Sequence, residues 1–178
     1  MTFENIAPHL ITNALSYIQK APDENLFANR ADMFELFENN SRKSRLSAGA
    51  VITDPHNRVL MVENYKAGKI LPPGGKADIS DDNLIQTAIR ECREETGLKL
   101  HEMEAEPPLY ISIFEVKGVK MLDFGFWFRV DQAFESMELK RRKSEVKEIY
   151  FTPLSELRKS NDVCIAHAAN IILKNTAS

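Results

Sequence analysis

Three glutamates in the middle of the chain, Glu91, Glu94 and Glu95, have the type and spacing that could do chemistry. At roughly 100° per residue along a helix, their side chains fall within an arc of about 100°. Carboxylates held that close repel one another, which destabilises the helix unless cations neutralise them. Hard divalent ions such as Mg²⁺ prefer these oxygen ligands and often accompany phosphate substrates. The cluster therefore predicts a metal site that acts on a phosphate compound, and a solvated acidic helix surface is the competing interpretation.

The surrounding pattern places this cluster on a helix that follows a Gly-Gly loop. Asp81 and Asp82 are typical of a helix start, and Gly97 is typical of the residue that ends a helix. Between them, apolar residues recur at helical spacing, which predicts one buried side with the acidic cluster beside it. These apolar residues are Leu84, Ile85, Ala88, Ile89 and Cys92.

Residues 75–98 resemble the Nudix box, the signature of the Nudix hydrolase superfamily. The box consists of Gly, five residues, Glu, seven residues, Arg-Glu, an apolar residue, any residue, Glu-Glu, any residue, Gly and an apolar residue. The segment from Arg90 to Leu98, RECREETGL, fits the second half at every fixed position. The first half departs twice, because six residues separate Gly75 from the acidic position and because that position, seven residues before Arg90, is Asp82. We expect the additional residue to lengthen the loop before the helix.

The resemblance implies an α/β fold, an α/β/α sandwich with a mixed sheet in which the box forms a loop, a helix and a loop. It also implies a hydrolase that cleaves the pyrophosphate bond of a nucleoside diphosphate linked to another group. ADP-ribose, nucleotide sugars, dinucleotides and nucleoside triphosphates are substrates of this type. The Nudix pattern makes Glu91, Glu94 and Glu95 ligands of Mg²⁺ or Mn²⁺, together with the backbone carbonyl of Gly74. In the same pattern Arg90 orients a neighbouring carboxylate, and the general base is expected among the box glutamates or a later loop.

Two later segments supply further candidates. Nudix proteins often contribute an acidic residue from a loop before the last strand, and Glu145 is the first candidate, with Glu148 second. Apolar residues alternate from 122 to 130, which predicts a strand with Asp123 and Trp127 on its other face. In the Nudix fold this region contributes to the wall of the substrate site, so Trp127 could stack on a base. The alternative is that Trp127 packs under a helix.

We expect the chain to divide into an N-terminal helical extension with a basic linker at 1–45 and a Nudix hydrolase domain at 46–178. The extension is expected to pack on the main domain or across a dimer, or to form a substrate lid. A charged run at 135–147 is interpreted as a solvated loop. The predicted helices lie at 3–20, around 26–37, at 153–158 and at 162–174, and the predicted strands at 47–53, 58–63, 109–116, 122–130 and 149–151.

Composition excludes several classes of protein. The chain has 178 residues and a net charge of −3, so there is no electrostatic case for nucleic-acid binding. Its two cysteines, Cys92 and Cys164, do not suggest a disulfide framework. The first ten residues lack a basic region and a continuous apolar run, so they do not indicate a signal peptide, and no apolar run reaches about 18 residues; we therefore expect no membrane partner and a cytoplasmic location.

The expected partner is a small nucleotide diphosphate derivative. Nudix proteins are often homodimers, and the oligomeric state stays open here. The rival function is a non-catalytic Nudix-like module that senses a nucleotide or regulates a partner. Such modules commonly lose box glutamates, and retention of Glu91, Glu94 and Glu95 favours the enzyme.

Overall fold

The structure is a computed structural model that describes residues 6–38, 44–66, 68–102 and 107–177. The helices are α1 (Pro8–Lys20), α2 (Arg30–Glu38), α3 (Leu84–Thr96), α4 (Leu154–Leu157) and α5 (Val163–Thr176). The strands are β1 (Ser44–Thr53), β2 (Arg58–Asn64), β3 (Ile70–Leu71), β4 (Gly74–Lys76), β5 (Tyr110–Val116), β6 (Val119–Arg129) and β7 (Val146–Pro153). Among these residues, no helix is long and apolar enough to cross a membrane.

The strands form one mixed sheet in the order β3-β2-β1-β6-β5, with β4 paired to β1 and β7 paired to β2. Strands β1 and β6 run parallel, in register from Ser44 opposite Lys120 to Thr53 opposite Arg129. The other strand pairs are antiparallel. The predicted mixed sheet is therefore confirmed. The parallel pair at its centre consists of the two longest strands, β1 and β6.

Alternation along β6 divides the core into two clusters, one on each face of the sheet. The predicted apolar face, which includes Phe124, Phe126 and Phe128, is buried together with residues of α1, α2 and α3. On the other face Trp127 packs with a second cluster that contains buried residues of α4 and α5. Helices thus cover both faces of the sheet, which confirms the predicted α/β/α sandwich.

The N-terminal helices pack on the same core as the sheet and α3. Leu10, Ile18 and Met33 are buried in that cluster. The side chain of Asn13 accepts a hydrogen bond of 2.9 Å from the backbone N–H of Leu84, at the first residue of α3. Of the expected arrangements, packing on the main domain is the one observed. The division of the chain at residue 45 stays a prediction.

The second helix was predicted to include Leu26 and Phe27, and this is wrong. Leu26 is extended and forms a bridge with Ile111, while the backbone N–H of Phe27 donates to the carbonyl of Ile111 at 2.9 Å. This pairing satisfies backbone groups of the edge strand β5 and keeps Leu26 and Phe27 out of a helix. Helix α2 therefore begins only at Arg30. Residues 3–5 of the first predicted helix and residues 39–43 of the predicted linker lie outside the described part of the chain.

The turn between β1 and β2 is held by a buried carboxylate. The side chain of Asp54 is fully buried and accepts hydrogen bonds from the backbone N–H groups of His56 and Arg58. Nη2 of Arg58 also approaches Oδ2 of Asp54 at 2.6 Å. Burial alone would raise the pKa of Asp54, but the hydrogen bonds from Arg58 and from the N–H of Phe134 outweigh it. They hold that pKa below its ordinary value of 3.8.

Replacing Asp54 with Ala is expected to lower the free energy of unfolding by about 3 kcal/mol, because the backbone N–H groups of His56, Arg58 and Phe134 lose their acceptor and the guanidinium of Arg58 loses its buried one. Urea denaturation measures this loss. A matched control is Glu135→Gln, which removes the other carboxylate on Arg58; that side chain is 58% exposed, so the urea midpoint should move far less. A urea midpoint for Asp54→Ala equal to that of the control would contradict the conclusion that Asp54 holds the turn between β1 and β2.

The same contact predicts a pH dependence of stability. A carboxyl whose pKa is lowered in the folded state contributes its full stabilisation above the unfolded value of 3.8. As the pH falls from that value through the folded pKa, the unfolded chain takes up the proton first and the contribution is lost. The urea midpoints of wild-type and Asp54→Ala protein should therefore converge as the pH falls below about 4.

Candidate active site

Helix α3 is positioned by its caps and by its apolar side. Gly97 ends it with a φ of 75°, as the pattern predicted, whereas the cap at its start is Asn83, which accepts a hydrogen bond from the N–H of Gln86, and not Asp81 or Asp82. Leu84, Ala88 and Cys92 are fully buried, and the helix contacts β1 and β4. The acidic residues therefore stand beside the sheet, next to the Gly-Gly strand.

Two box glutamates lie directly against that strand. Oε2 of Glu95 accepts a hydrogen bond of 3.0 Å from the N–H of Gly74. A Cβ atom on Gly75 would lie 2.4 Å from Cδ of Glu91, so only glycine leaves room for that carboxylate. A Cβ on Gly74 would lie 2.6 Å from Cα of Gly49 on β1. The glycine pair is thus required by close approach on both of its sides, and the predicted use of the Gly74 carbonyl stays a prediction.

Arg90 connects these carboxylates to the loop before the helix. Its Nη1 donates to Oε1 of Glu91 at 2.7 Å, the kind of contact that the expected orienting role requires, and that role stays a prediction. Its Nε and Nη2 donate to the two carboxylate oxygens of Asp81, at 2.8 and 2.9 Å. Nη2 also donates to the carbonyl of Lys76 at 2.9 Å. Arg90 therefore fixes both the Glu91 carboxylate and the loop.

The sequence assigned the acidic position of the box to Asp82. In the structure it is the carboxylate of Asp81, not that of Asp82, that binds Arg90. Asp81 is buried, and its Oδ2 accepts a further hydrogen bond from the hydroxyl of Thr87 at 2.8 Å. Asp82 is exposed. Asp81 keeps the five-residue spacing from Gly75, so the additional residue lies between Asp81 and Arg90. Counting five residues forward from Gly75, rather than seven residues back from Arg90, would have identified Asp81.

The carboxylate cluster, which consists of Glu91, Glu94 and Glu95, carries more negative charge than its partners neutralise. Burial, with the nearby charges of Glu91 and Glu145, raises the pKa of Glu95 to about 7, although the Gly74 N–H and the Asn64 side chain oppose the shift. Burial also raises the pKa of Glu91, against the hydrogen bond from Arg90. Such oxygen donors fit a divalent cation, which would relieve the repulsion between them.

Glu94 lies between two arginines. Its oxygens lie 3.5 Å from Nη1 of Arg90 and 3.5 Å from Nη1 of Arg142. Across the described residues, no three acidic, His or Cys side chains are grouped closely enough to hold a metal ion. The carboxylates are chemically suitable donors for a cation, but they are not gathered around one point, and Glu94 would have to exchange its arginine partners to join Glu91 and Glu95.

The charged run at 135–147, predicted as a solvated loop, keeps Lys140, Arg142 and Lys143 exposed, but its backbone also docks on α3. The N–H of Lys140 donates to the carbonyl of Thr96 at 2.7 Å, and the N–H of Arg142 donates to the carbonyl of Glu95 at 2.9 Å. The segment thereby satisfies free carbonyls at the C-terminal end of α3, where basic residues are also favoured by the helix dipole. In the sequence, a run of basic residues that docks its backbone on a helix looks the same as one that is only solvated.

This docking brings Glu145 to the cluster. Its charge is felt by both Glu91 and Glu95, whose pKa values it helps to raise. Glu148, the second candidate, is exposed, and its Oε1 accepts from the N–H of Ile149. The structure therefore favours Glu145 over Glu148. Asn64, whose side chain bonds to Glu95, was not predicted, because a single Asn at a strand end carries no motif.

Asp123 and Trp127 lie on the sheet face opposite α3. Nε1 of Trp127 donates to the hydroxyl of Thr53 at 2.8 Å, and the guanidinium of Arg129 lies 3.9 Å from its ring centroid. The indole donor and one ring face are thus occupied, in line with packing under a helix. Oδ1 of Asp123 accepts from the hydroxyl of Ser47 at 2.6 Å, and burial raises its pKa. The role of both residues in substrate binding stays a prediction.

Comparison with protein families gives one match over most of the chain. Residues 43–169 match the family model described as NUDIX domain. Mouse peroxisomal coenzyme A diphosphatase NUDT7 is 34% identical over 87 residues, which is 49% of this chain and 34% of that protein. Human mitochondrial coenzyme A diphosphatase NUDT8 is 28% identical over 108 residues, 56% of this chain and 41% of that protein. The matched part of the chain thus spans well under half the length of these relatives.

Solved structures resemble the fold over almost their whole length. The binary complex of C. elegans Ap4A hydrolase superposes with a TM-score of 0.60 at 20% identity, covering 75% of this chain and 98% of that one. The MutT protein from Methanosarcina mazei Go1 gives a TM-score of 0.59 at 20% identity, covering 74% and 95%. At these identities the likeness concerns the fold alone.

Proposed function

The chain belongs to the Nudix hydrolase family, and from that premise we propose that it cleaves the pyrophosphate bond of a nucleoside diphosphate linked to another group. One observation carries the proposal. The carboxylates of Glu91 and Glu95 lie against the Gly74–Gly75 strand, with Glu145 close enough for its charge to act on both. Such a concentration of oxygen donors is suited to a divalent cation and, through it, to a diphosphate.

The proposed ligands of Mg²⁺ or Mn²⁺ are Glu91, Glu94, Glu95 and the Gly74 carbonyl. A divalent cation bound there would neutralise the diphosphate and lower the pKa of a coordinated water. Arg90 holds the Glu91 carboxylate in place, and the Gly74 N–H does the same for Glu95. The residue that takes the proton from the attacking water is proposed among the box glutamates and Glu145.

The substrate proposal starts from the relatives. Two of them are named coenzyme A diphosphatases, so coenzyme A and its derivatives are the first compounds to test. ADP-ribose, nucleotide sugars and dinucleotides follow, with Asp123 and Trp127 as proposed contacts. We propose no nucleic-acid partner for a chain of net charge −3. The proposed compartment is the cytoplasm, although the mouse and human relatives are named for the peroxisome and the mitochondrion.

The test is phosphate release from a panel of these compounds with Mg²⁺ or Mn²⁺ and a coupling phosphatase. The phosphatase releases phosphate only from the monophosphate ends that cleavage of a diphosphate exposes; for coenzyme A, whose 3′-phosphate is already terminal, the cleaved products are identified by mass spectrometry. A compound that is cleaved by wild-type protein in a metal-dependent reaction supports the proposal. Binding of a nucleotide without turnover of any compound would instead favour the sensing module.

A further inference from the structure

Arg142 is held at the rim of the carboxylate cluster by its backbone. Its N–H donates to the carbonyl of Glu95 at 2.9 Å, and its own carbonyl accepts from the N–H groups of Glu145 and Val146 at 2.9 and 2.8 Å. These three hydrogen bonds place its Cα next to the C-terminal end of α3. From this position the guanidinium reaches the cluster, where it lies near Glu94 and Glu145.

The side chain of Arg142 is much less firmly held than its backbone. Its Nη1 lies 3.5 Å from Oε2 of Glu94 and 3.7 Å from Oε1 of Glu145, distances longer than a hydrogen bond. The side chain is 47% exposed, whereas that of Arg90 is 23% exposed and bound to Asp81 and Glu91. Arg142 is thus a loosely paired cation facing carboxylates that belong to the proposed cation site.

We propose that Arg142 is a substrate-binding residue that contacts phosphate oxygens of the diphosphate when a divalent cation has replaced it at Glu94 and Glu145. A planar guanidinium matches a phosphate bidentately, and release from carboxylates that a cation now holds frees its donors. The inference rests on the proposed function for the identity of the ligand. It assigns to this basic segment a role in recognition beyond that of capping the helix.

Arg142→Ala should weaken the binding of ADP without weakening the binding of Mn²⁺. ADP, measured by calorimetry with saturating Mg²⁺, should bind about tenfold more weakly, because a charge-assisted hydrogen bond to the diphosphate is lost. Mn²⁺, measured without nucleotide, should bind as tightly as to wild-type protein or more tightly, because no guanidinium competes for Glu94 and Glu145. Arg142→Lys keeps the charge but loses the planar, bidentate guanidinium. Its affinity for ADP should therefore lie between that of wild-type protein and that of Arg142→Ala.

Lys143→Ala is the matched control, since it removes the same charge from the neighbouring position of the same segment. Lys143 is exposed and makes no ion pair with any described residue. Both of its affinities should remain within about twofold of wild type.

The outcomes separate this inference from the proposed function. Unchanged ADP affinity in Arg142→Ala, or equal weakening in Lys143→Ala, overturns the inference. Parallel weakening of ADP and Mn²⁺ binding shows a structural role and also overturns it. Wild-type protein that binds ADP through Arg142 but cleaves no compound overturns only the proposed hydrolysis. Absence of both ADP and Mn²⁺ binding in folded wild-type protein overturns both.

Discussion

Glu95→Gln protein is expected to turn over its substrate at least about a thousandfold more slowly than wild type while remaining folded. Glutamine has the same shape, and its carbonyl oxygen can still accept from the N–H of Gly74. The neutral amide, however, is a weak ligand for a divalent cation and cannot take up a proton. Because the change also removes a buried charge that repels Glu91, stability should not fall.

Steady-state kinetics and thermal unfolding of the same preparation measure these two effects. Glu115→Gln is the matched control, because it makes the same chemical change at an exposed position of β5. Glu94→Gln should behave like Glu95→Gln. If both variants retained turnover close to that of wild type and of the control, the box glutamates would not be the ligands proposed here.

Gly75→Ala is expected to lower turnover by about a hundredfold, through displacement of Glu91 rather than through unfolding. The new methyl would lie 2.4 Å from Cδ of Glu91, a distance that carbon atoms do not tolerate, so the carboxylate must move. Gly75 does not have a positive φ, so alanine causes no backbone strain there. Turnover and metal affinity, measured together, should both decline.

Gly49→Ala is the control for that variant, because it adds the same methyl to the neighbouring strand β1. At Gly49 the nearest atom, the carbonyl oxygen of Pro73, would lie 3.4 Å away, which is an ordinary contact. Its turnover should stay within about threefold of wild type. Equal turnover in the Gly75 and Gly49 variants would show that the position of the Glu91 carboxylate does not matter for catalysis.

Much of this site follows from local pattern. The run from Arg90 to Leu98, with a helical period before it and Gly97 after it, predicts the helix and the positions of its carboxylates. Alternation predicts the buried face of β6 in the same way. Both signals arise because side chains three to four residues apart on a helix, or two apart on a strand, share one environment.

What the pattern missed depends on contacts between distant segments. Asp81 and Asp82 are chemically alike, the two spacings of the box point to different residues, and the burial of Asp81 against Arg90 decides between them. Likewise, the docking of Arg142 on the carbonyl of Glu95 joins residues that are far apart in sequence. The extended conformation of Leu26 is explained by its bridge to Ile111, which overrides a weak local preference.

The most direct test of diphosphate hydrolysis is a mass measurement of the products formed in water labelled with heavy oxygen. A mixture of coenzyme A, ADP-ribose and diadenosine tetraphosphate is incubated with Mg²⁺ and either wild-type or Glu95→Gln protein. We predict that wild-type protein converts at least one compound into two phosphate-bearing products, one of which carries a single heavy oxygen, and that the variant forms neither. Products without the label, or equal labelling with the variant, would contradict metal-assisted attack of water on phosphorus at this site.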